Sequence, residues 1–126
     1  MTKTLLVAAL LSMSSVAAAD VTVTDNKQTV DIDCAKDKLV NIIGNHATIT
    51  LKGTCTKVSI SGNHANLTGS ANTVWIAGNN NNVTLPGVDS LTIAGNSNNV
   101  TYKGPITAKT TKVSNPGSKN NVTQQR

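Results

Sequence analysis

Two segments of the chain, VWIAGNNNNVT (residues 74–84) and LTIAGNSNNVT (residues 91–101), are close copies of each other, 17 residues apart. In both copies a glycine follows two aliphatic residues, four and two positions earlier, and is itself followed by Asn, Val and Thr at fixed distances. The same pattern recurs along the chain at steps of 16 to 22 residues. Its six copies are anchored at Asp25, Gly44, Gly62, Gly78, Gly95 and Gly117.

A repeat of this length predicts a β-solenoid. The period is too short for a pair of helices, and no segment places apolar residues at helical spacing, so each copy is expected to form one coil of stacked strands. Apolar and polar residues alternate around each glycine, as in a strand with one buried face. We therefore predict an all-β, single-domain parallel β-solenoid of about six right-handed coils, each 16 to 22 residues long.

Three columns of aliphatic residues are predicted to face the interior. The Gly-Asn pair is expected to form the corner of each coil, because Gly and Asn both tolerate a left-handed backbone. The columns lie four residues before the glycine position (Val21, Val40, Val58, Val74, Leu91, Val113), two before it (Val23, Ile42, Ile60, Ile76, Ile93) and five after it (Val30, Ile49, Leu67, Val83, Val100, Val122).

Two polar columns are predicted to face outward. Identical polar side chains on stacked coils can hydrogen-bond along the stack and stiffen it, as Asn ladders do in cross-β structures. The alternative is a flat face of regularly spaced hydroxyls and amides that binds a repetitive surface such as ice or a polysaccharide. The candidate binding residues are Thr50, Thr68, Thr84 and Thr101 in one column and Asn66, Asn82 and Asn99 in the other, with Trp75 as a separate outward contact for a sugar or a partner protein.

The composition argues against several classes of protein. The chain has 126 residues with no Phe and only 2% aromatic residues, so a conventional aromatic core is excluded. The net charge is +5, but the single Arg is the last residue and stacking rings are scarce, which disfavours nucleic-acid binding. No Ser-His-Asp pattern, phosphate loop or zinc-ligand spacing occurs, and five of the six acidic residues crowd the first coil. We expect a non-enzymatic protein without a cofactor.

The N-terminal residues 1–19 are typical of a secretory signal peptide. Lys3 precedes an apolar run from Leu5 to Leu11, and small residues end the segment at Ala19. The alternative is a membrane anchor, but the apolar run is much shorter than the ~20 residues that cross a bilayer. We expect cleavage near Ala19, a secreted or periplasmic protein without a transmembrane segment, and a solenoid domain over residues 20–126 whose last coil is frayed from about residue 113.

Cys34 and Cys55 are the only cysteines, and an even count in a small exported domain indicates one intramolecular disulfide. Unpaired or intermolecular thiols are the alternative. His46 and His64 share a column on neighbouring coils and are the only candidates for a transition-metal site, with exposed corner residues as the alternative reading. We do not predict a metal site there.

The two ends of the predicted rod carry opposite charges. The first coil is rich in Asp, whereas the chain beyond residue 90 contains Lys and Arg but no acid. Opposite ends of opposite sign favour head-to-tail association through open strand edges, although solvated lysines at an edge also discourage it. Both outcomes stay open at the sequence level.

The pattern Val-x-Ile-x-Gly-Asn-x-x-Asn-Val-Thr, seen at residues 74–84 and 91–101, resembles small exported bacterial repeat proteins grouped as domain of unknown function 3060. The resemblance covers most of the chain after the signal segment, including the early pair of cysteines. It implies an exported β-solenoid and transfers no functional residue. We expect a structural or surface-binding module, with an ice- or polysaccharide-binding face and a self-assembling envelope protein as the alternatives.

Overall fold

The strands and their partners were obtained from a computed structural model, which describes residues 19–35 and 37–125. Apart from Ala19, the signal peptide expected at residues 1–19 lies outside these residues. Within them no helix is present, and so none is long and apolar enough to span a membrane. The strands are β1 (Ala19–Val23), β2 (Thr29–Asp33), β3 (Asp37–Ile42), β4 (Thr48–Ile60), β5 (Asn66–Ile76), β6 (Asn82–Ile93), β7 (Asn99–Gly104), β8 (Lys112–Ser114) and β9 (Asn121–Gln124).

All strand pairs are parallel and join residues one repeat apart, which confirms the predicted parallel β-solenoid of about six coils. Each coil has a segment before the Gly-Asn corner and a segment after it. Strands β4, β5 and β6 are long because each runs without a break from one corner to the next. The right-handed sense of the coil stays a prediction.

The aliphatic columns stack in register, as predicted. Ile60 pairs with Ile76 before the corner, and Val83 pairs with Val100 after it. Inner members of the columns are fully buried, whereas Val113 of the last coil is 38% exposed because its coil has a neighbour on one side only. The last coil pairs in register through β8 and β9, and its fraying stays a prediction.

The corner backbone differs from the expectation. The left-handed residue is neither the Gly nor the first Asn but the residue two positions after the Gly, where φ is 57° to 59° in every coil. Asn and His adopt a positive φ more readily than most residues, but Lys and Ser do so rarely, so the corner geometry overrides local preference in the coils that carry Lys or Ser here. The left-handed residues are Lys27, His46, His64, Asn80, Ser97 and Lys119.

The glycines are required by a close approach between coils. A Cβ atom on Gly62 would lie well inside 3.0 Å of the carbonyl oxygen of Gly44, and one on Gly78 would meet the carbonyl oxygen of Gly62 in the same way. Because each corner rests directly on the backbone of the preceding corner, any side chain at this position would push the coils apart. The same contact recurs for Gly95 and Gly117.

A ladder of asparagines, the corner ladder, links the residues that follow the glycines. The Oδ1 atom of Asn45 accepts a hydrogen bond from the backbone N–H of Asn63 at 2.9 Å, and Asn63 accepts from the N–H of Asn79 at the same distance. Corner N–H groups that have no strand partner are thus satisfied by the side chain of the coil before. The ladder comprises Asn26, Asn45, Asn63, Asn79, Asn96 and Ser118.

A second ladder, the buried ladder, runs inside the later coils through Asn81, Asn98 and Asn120. Asn81 and Asn98 are each only 1% exposed. The Oδ1 atom of Asn81 accepts from the N–H of Ala65 at 2.8 Å, and its Nδ2 donates to the carbonyl of Gly62 at 3.1 Å. Each amide therefore satisfies one backbone donor and one backbone acceptor of the corner beside it. Asn98 repeats this pattern one coil further on.

Cys34 and Cys55 form a disulfide, as predicted, with their Cα atoms 4.8 Å apart and both side chains buried. The bond joins Cys34, which follows β2 in the first coil, to Cys55 within β4 of the second coil. The N–H of Cys34 also donates to the carbonyl of Lys52 at 2.9 Å, which continues the β2–β4 ladder up to the disulfide. The disulfide therefore fixes the end of the rod where each coil has the fewest neighbours.

Asp89 anchors the longest connector, residues 105–111 between β7 and β8. Its carboxylate accepts hydrogen bonds from the backbone N–H groups of Ile106, Thr107 and Ala108 at 2.6 to 3.1 Å. It also accepts from the Thr107 hydroxyl at 2.7 Å and from the amide of Asn72 at 3.0 Å. The connector therefore wraps around the Asp89 carboxylate instead of following the repeat.

Replacing Gly78 with Ala is expected to lower the free energy of unfolding by about 3 kcal/mol or more, because the new Cβ overlaps a backbone carbonyl that cannot move without separating two coils. Gly104→Ala is the matched control. A Cβ at Gly104 has no neighbour within 4 Å, so its cost should stay within about 0.5 kcal/mol. Urea unfolding of both variants makes the comparison, and equal effects would contradict the close approach.

The carboxylate of Asp89 should make the connector sensitive to acid. Hydrogen bonds from the Thr107 hydroxyl, then from Asn72 and from the backbone N–H groups of Ala108 and Thr107, hold the pKa of Asp89 well below its ordinary value of 3.8. The stability it contributes is therefore complete above about pH 5 and is lost as the pH falls through the lower folded-state pKa.

Asp89→Asn should remove this acid-dependent loss, which hydrogen exchange of the connector amides between neutral and acidic pH would measure. Asp31→Asn is the control, since Asp31 is exposed and belongs to another coil. If the wild type and Asp89→Asn opened with the same pH dependence, the anchoring role of Asp89 would be wrong.

Candidate functional site

The candidate site is the outer face of the segments that follow the corners, called here the Thr/Asn face. Its Asn members are exposed and its Thr members are exposed or, at Thr101, half-buried. The face exists because every second residue of these segments points inward to the aliphatic core. The face consists of Thr48, Thr50, Asn66, Thr68, Asn82, Thr84, Asn99, Thr101, Asn121 and Thr123.

The face is a regular lattice of polar groups. Asn66 pairs in register with Asn82, and Asn82 with Asn99, while Thr68, Thr84 and Thr101 form the neighbouring column. Parallel strands lie about 4.8 Å apart, and two residues along a strand span roughly 6.6 Å. The side chains therefore repeat in two directions with fixed spacings over several coils.

The side chains of the Thr/Asn face have unused hydrogen-bonding capacity. Within residues 19–35 and 37–125, the side chains of Asn66, Asn82 and Asn99 form no hydrogen bond. The same holds for the neighbouring column of Thr68, Thr84 and Thr101. The hydrogen bonds that tie the coils together through side chains belong to the corner ladder and the buried ladder. The stiffening role expected of stacked Asn residues is thus carried by other Asn columns.

Trp75 lies apart from the Thr/Asn face. It is 40% exposed and stands in the segment before the corner, where its register partners are Ser59 and Thr92. The hollow next to Ser59 has a volume of about 210 Å³ and is lined by residues of the second and third coils, including Asn41 and Lys57. Within β5, Thr68 lies near the start, just after one corner, and Trp75 lies near the end, just before the next corner. The two side chains therefore belong to different segments of the coil.

His46 and His64 stack directly on one another at the corner edge. Their ring centroids are 4.8 Å apart and their planes differ by 3°. Because imidazole lone pairs lie in the ring plane, two parallel rings at this separation do not converge on one ion at the ~2.0 Å that zinc requires. Within the part of the chain that the structure describes, no group of three His, Cys, Asp or Glu residues could hold a metal ion.

An open groove of about 480 Å³ runs along the corner edge beside these rings. The left-handed residues project into its walls, so one coil contributes Lys27, the next two contribute His46 and His64, and the fourth contributes Asn80. One wall of the groove is the repeated Asn column of the corner ladder (Asn26, Asn45, Asn63 and Asn79), whereas the left-handed residues of the other wall differ from coil to coil. The Oδ1 atoms of that Asn column already accept hydrogen bonds from the next coil, so the groove offers a ligand mainly the unrepeated left-handed residues.

The acidic side chains of the described residues are divided between the first coil and Asp89. Asp25, Asp31 and Asp33 are exposed on the first coil. Asp89 lies several coils away, and its carboxylate accepts five hydrogen bonds from the connector and from Asn72. Its pKa is lowered chiefly by the Thr107 hydroxyl, so it stays ionised at neutral pH and is unsuited to donate a proton.

Two features of the structure, the corner ladder and the role of Asp89, were missed from the sequence. The corner ladder could have been found, because Asn occupies the position after the glycine in four coils and also in the first coil, where Asp25 replaces Gly. The role of Asp89 left a weaker signal, namely an isolated acid one coil before the longest connector. Neither feature adds a residue to the Thr/Asn face.

Comparison with known proteins identifies the repeat pattern as that of a family. The family described as "Protein of unknown function (DUF3060)" matches residues 42–66 and 61–119, which together span more than half of the chain. No curated protein and no solved structure gives a match. The matched residues contain the corners of five successive coils, and the chain therefore belongs to the DUF3060 family of proteins of unknown function.

Proposed function

We propose that this protein is a non-enzymatic, exported β-solenoid whose Thr/Asn face binds a repetitive polar surface, such as an ordered polysaccharide or ice. The observation that supports this proposal is the set of exposed hydroxyls and amides that lie in register on successive coils and make no hydrogen bonds within the described protein. These groups are free to donate to and accept from a ligand.

The rigidity of the face favours a ligand that is itself ordered. Each Thr or Asn contributes a weak contact, but the coils hold several of them at fixed spacings, so little side-chain or backbone entropy is lost on binding. Many simultaneous weak contacts along one rod give avidity that a single contact lacks. A soluble monosaccharide would engage only one or two of these positions and should bind weakly.

The absence of catalytic function is part of the proposal. The Asp residues of the first coil are exposed, and Asp89 is engaged by the connector. Trp75 is left out of the proposed surface because it stands before the corner, with Ser59 and Thr92 as its neighbours. The alternative is a purely structural role in the envelope or the medium. Such a role predicts that no repetitive surface retains the protein.

Export to the periplasm or the medium is proposed from two features. The disulfide between Cys34 and Cys55 requires an oxidising compartment to form and persist. The segment before residue 20 has the charged, apolar and small-residue regions of a secretory signal. Fractionation of cells that express the full chain would locate the processed protein.

The double variant Thr68→Val and Thr84→Val should weaken binding by at least about tenfold, which corresponds to ~1.4 kcal/mol. Valine keeps the shape and strand preference of Thr but removes the hydroxyl, so the fold should be retained. The measurement is sedimentation of the protein with insoluble chitin, cellulose and peptidoglycan, together with inhibition of ice recrystallisation.

Thr73→Val and Thr92→Val provide the matched control, because these residues lie in the same two strands on the other side of the corner. The control should bind as the wild type does. If no repetitive surface retained the wild type, or if the two double variants lost binding equally, the proposal would be wrong and a structural role would be favoured.

A further inference from the structure

The first coil breaks a rule that all later coils obey. Each of the later five corners has Gly at the position where it rests on the coil before, and the first corner has Asp25. The reason for Gly is the same at every junction, since a Cβ there would overlap the carbonyl oxygen of the preceding corner residue. Asp25 is tolerated because no coil precedes its corner in the described part of the chain.

Only the later residue of each junction needs to be Gly. At the first junction the carbonyl of Asp25 lies beneath Gly44, and the aspartate side chain does not interfere. Asp25 is therefore compatible with a coil on one side and incompatible with a coil on the other. If a second copy of the chain were stacked head to tail, the Cβ of its Asp25 would meet the carbonyl oxygen of Gly117.

Lys27, two residues after Asp25, opposes the same stacking through its charge. Side chains two residues after the Gly position stack directly between coils, as His46 and His64 show with ring centroids 4.8 Å apart. The first and last members of this column are Lys27 and Lys119, both exposed and both in the same left-handed conformation. Head-to-tail stacking would place these two ammonium groups against each other.

The remaining features of the two ends are complementary. The N–H of Ser97 donates to the carbonyl of Ser118, and that of His46 donates to the carbonyl of Asn63, so the N–H of Lys119 is directed toward a coil beyond the last. The exposed Val113 would continue the column that begins at Val21. The ends also differ in the sign of their charge, with the exposed Asp31 and Asp33 on the first coil and the exposed Lys112 on the last.

We propose that Asp25 and Lys27 make the first coil a blocked end, which prevents a second copy of this chain from stacking head to tail on otherwise complementary strand edges. The Cβ of Asp25 supplies the steric part of the block and the pair Lys27–Lys119 supplies the electrostatic part. Natural sheets protect their edges against pairing with similar devices, including charges that face the approaching strand. The protein is thereby kept as a single rod.

The test compares Asp25→Gly/Lys27→Asn with Asp25→Ala/Lys27→Asn. The first variant reproduces the Gly-Asn-Asn corner of residues 78–80, and the second has the same net charge but keeps a Cβ. Sedimentation velocity across a concentration series, with fibre diffraction of any assembled material, measures the outcome. We expect the Gly variant to shift from the monomer mass to multiples of it, and the Ala variant and the wild type to stay monomeric.

The single variant Asp25→Gly gives an independent measurement if the double variant folds poorly. It keeps the repulsion between Lys27 and Lys119, so its association should increase with salt, which screens that repulsion. Circular dichroism would confirm strand structure in each variant. A wild type that assembles head to tail, a folded Gly variant that stays monomeric at all concentrations, or an Ala variant that assembles equally well would overturn the proposal.

Discussion

The structure depends on one contact, the direct approach of one corner backbone to the next. At each junction the Gly of a coil sits against a carbonyl oxygen of the coil before it, so closely that no Cβ fits. The approach sets the register of the strands on both sides of the corner, and the aliphatic columns then align through the interior. Because it removes corner N–H and C=O groups from water, it also requires other groups to satisfy them.

The asparagines meet that requirement, and they divide into columns with different tasks. Side chains directly after the glycine and two positions later point along or into the corner and bond to backbone groups of neighbouring coils. The Asn residues one position further on point outward and form no such bonds within the described residues. The same residue type thus holds the rod together in two columns and leaves a third column available to a ligand.

Much of this architecture follows from the sequence alone. Repeat length and alternation gave the coil number, the inward columns and their register, because a residue's side of a strand depends only on its parity. The disulfide followed from the count of cysteines. The corner was harder, since Asn79, Asn81 and Asn82 look equivalent in a run of four asparagines. Only the path of the backbone decides which amide turns inward and which faces solvent.

The left-handed residue of each corner was equally hard to predict from the sequence. Gly and Asn were expected to adopt positive φ because they do so at least cost, yet His46 and Lys27 adopt it instead. Contact between coils reserves Gly for the site of closest approach, and the turn then has to be completed by whatever residue follows. Local preference therefore predicts where the chain turns, whereas contact between coils decides which residue has which conformation.

The buried ladder, which satisfies the backbone groups of the corners, is tested most directly by comparing the free energy of unfolding of Asn81→Ala with that of Asn82→Ala. Asn81→Ala should lower it by about 2 kcal/mol or more, because the N–H of Ala65 and the carbonyl of Gly62 lose their partner. Asn82→Ala should change it by no more than about 0.5 kcal/mol, since that side chain is exposed. Similar losses for the two variants, or a negligible loss for Asn81→Ala, would contradict the account.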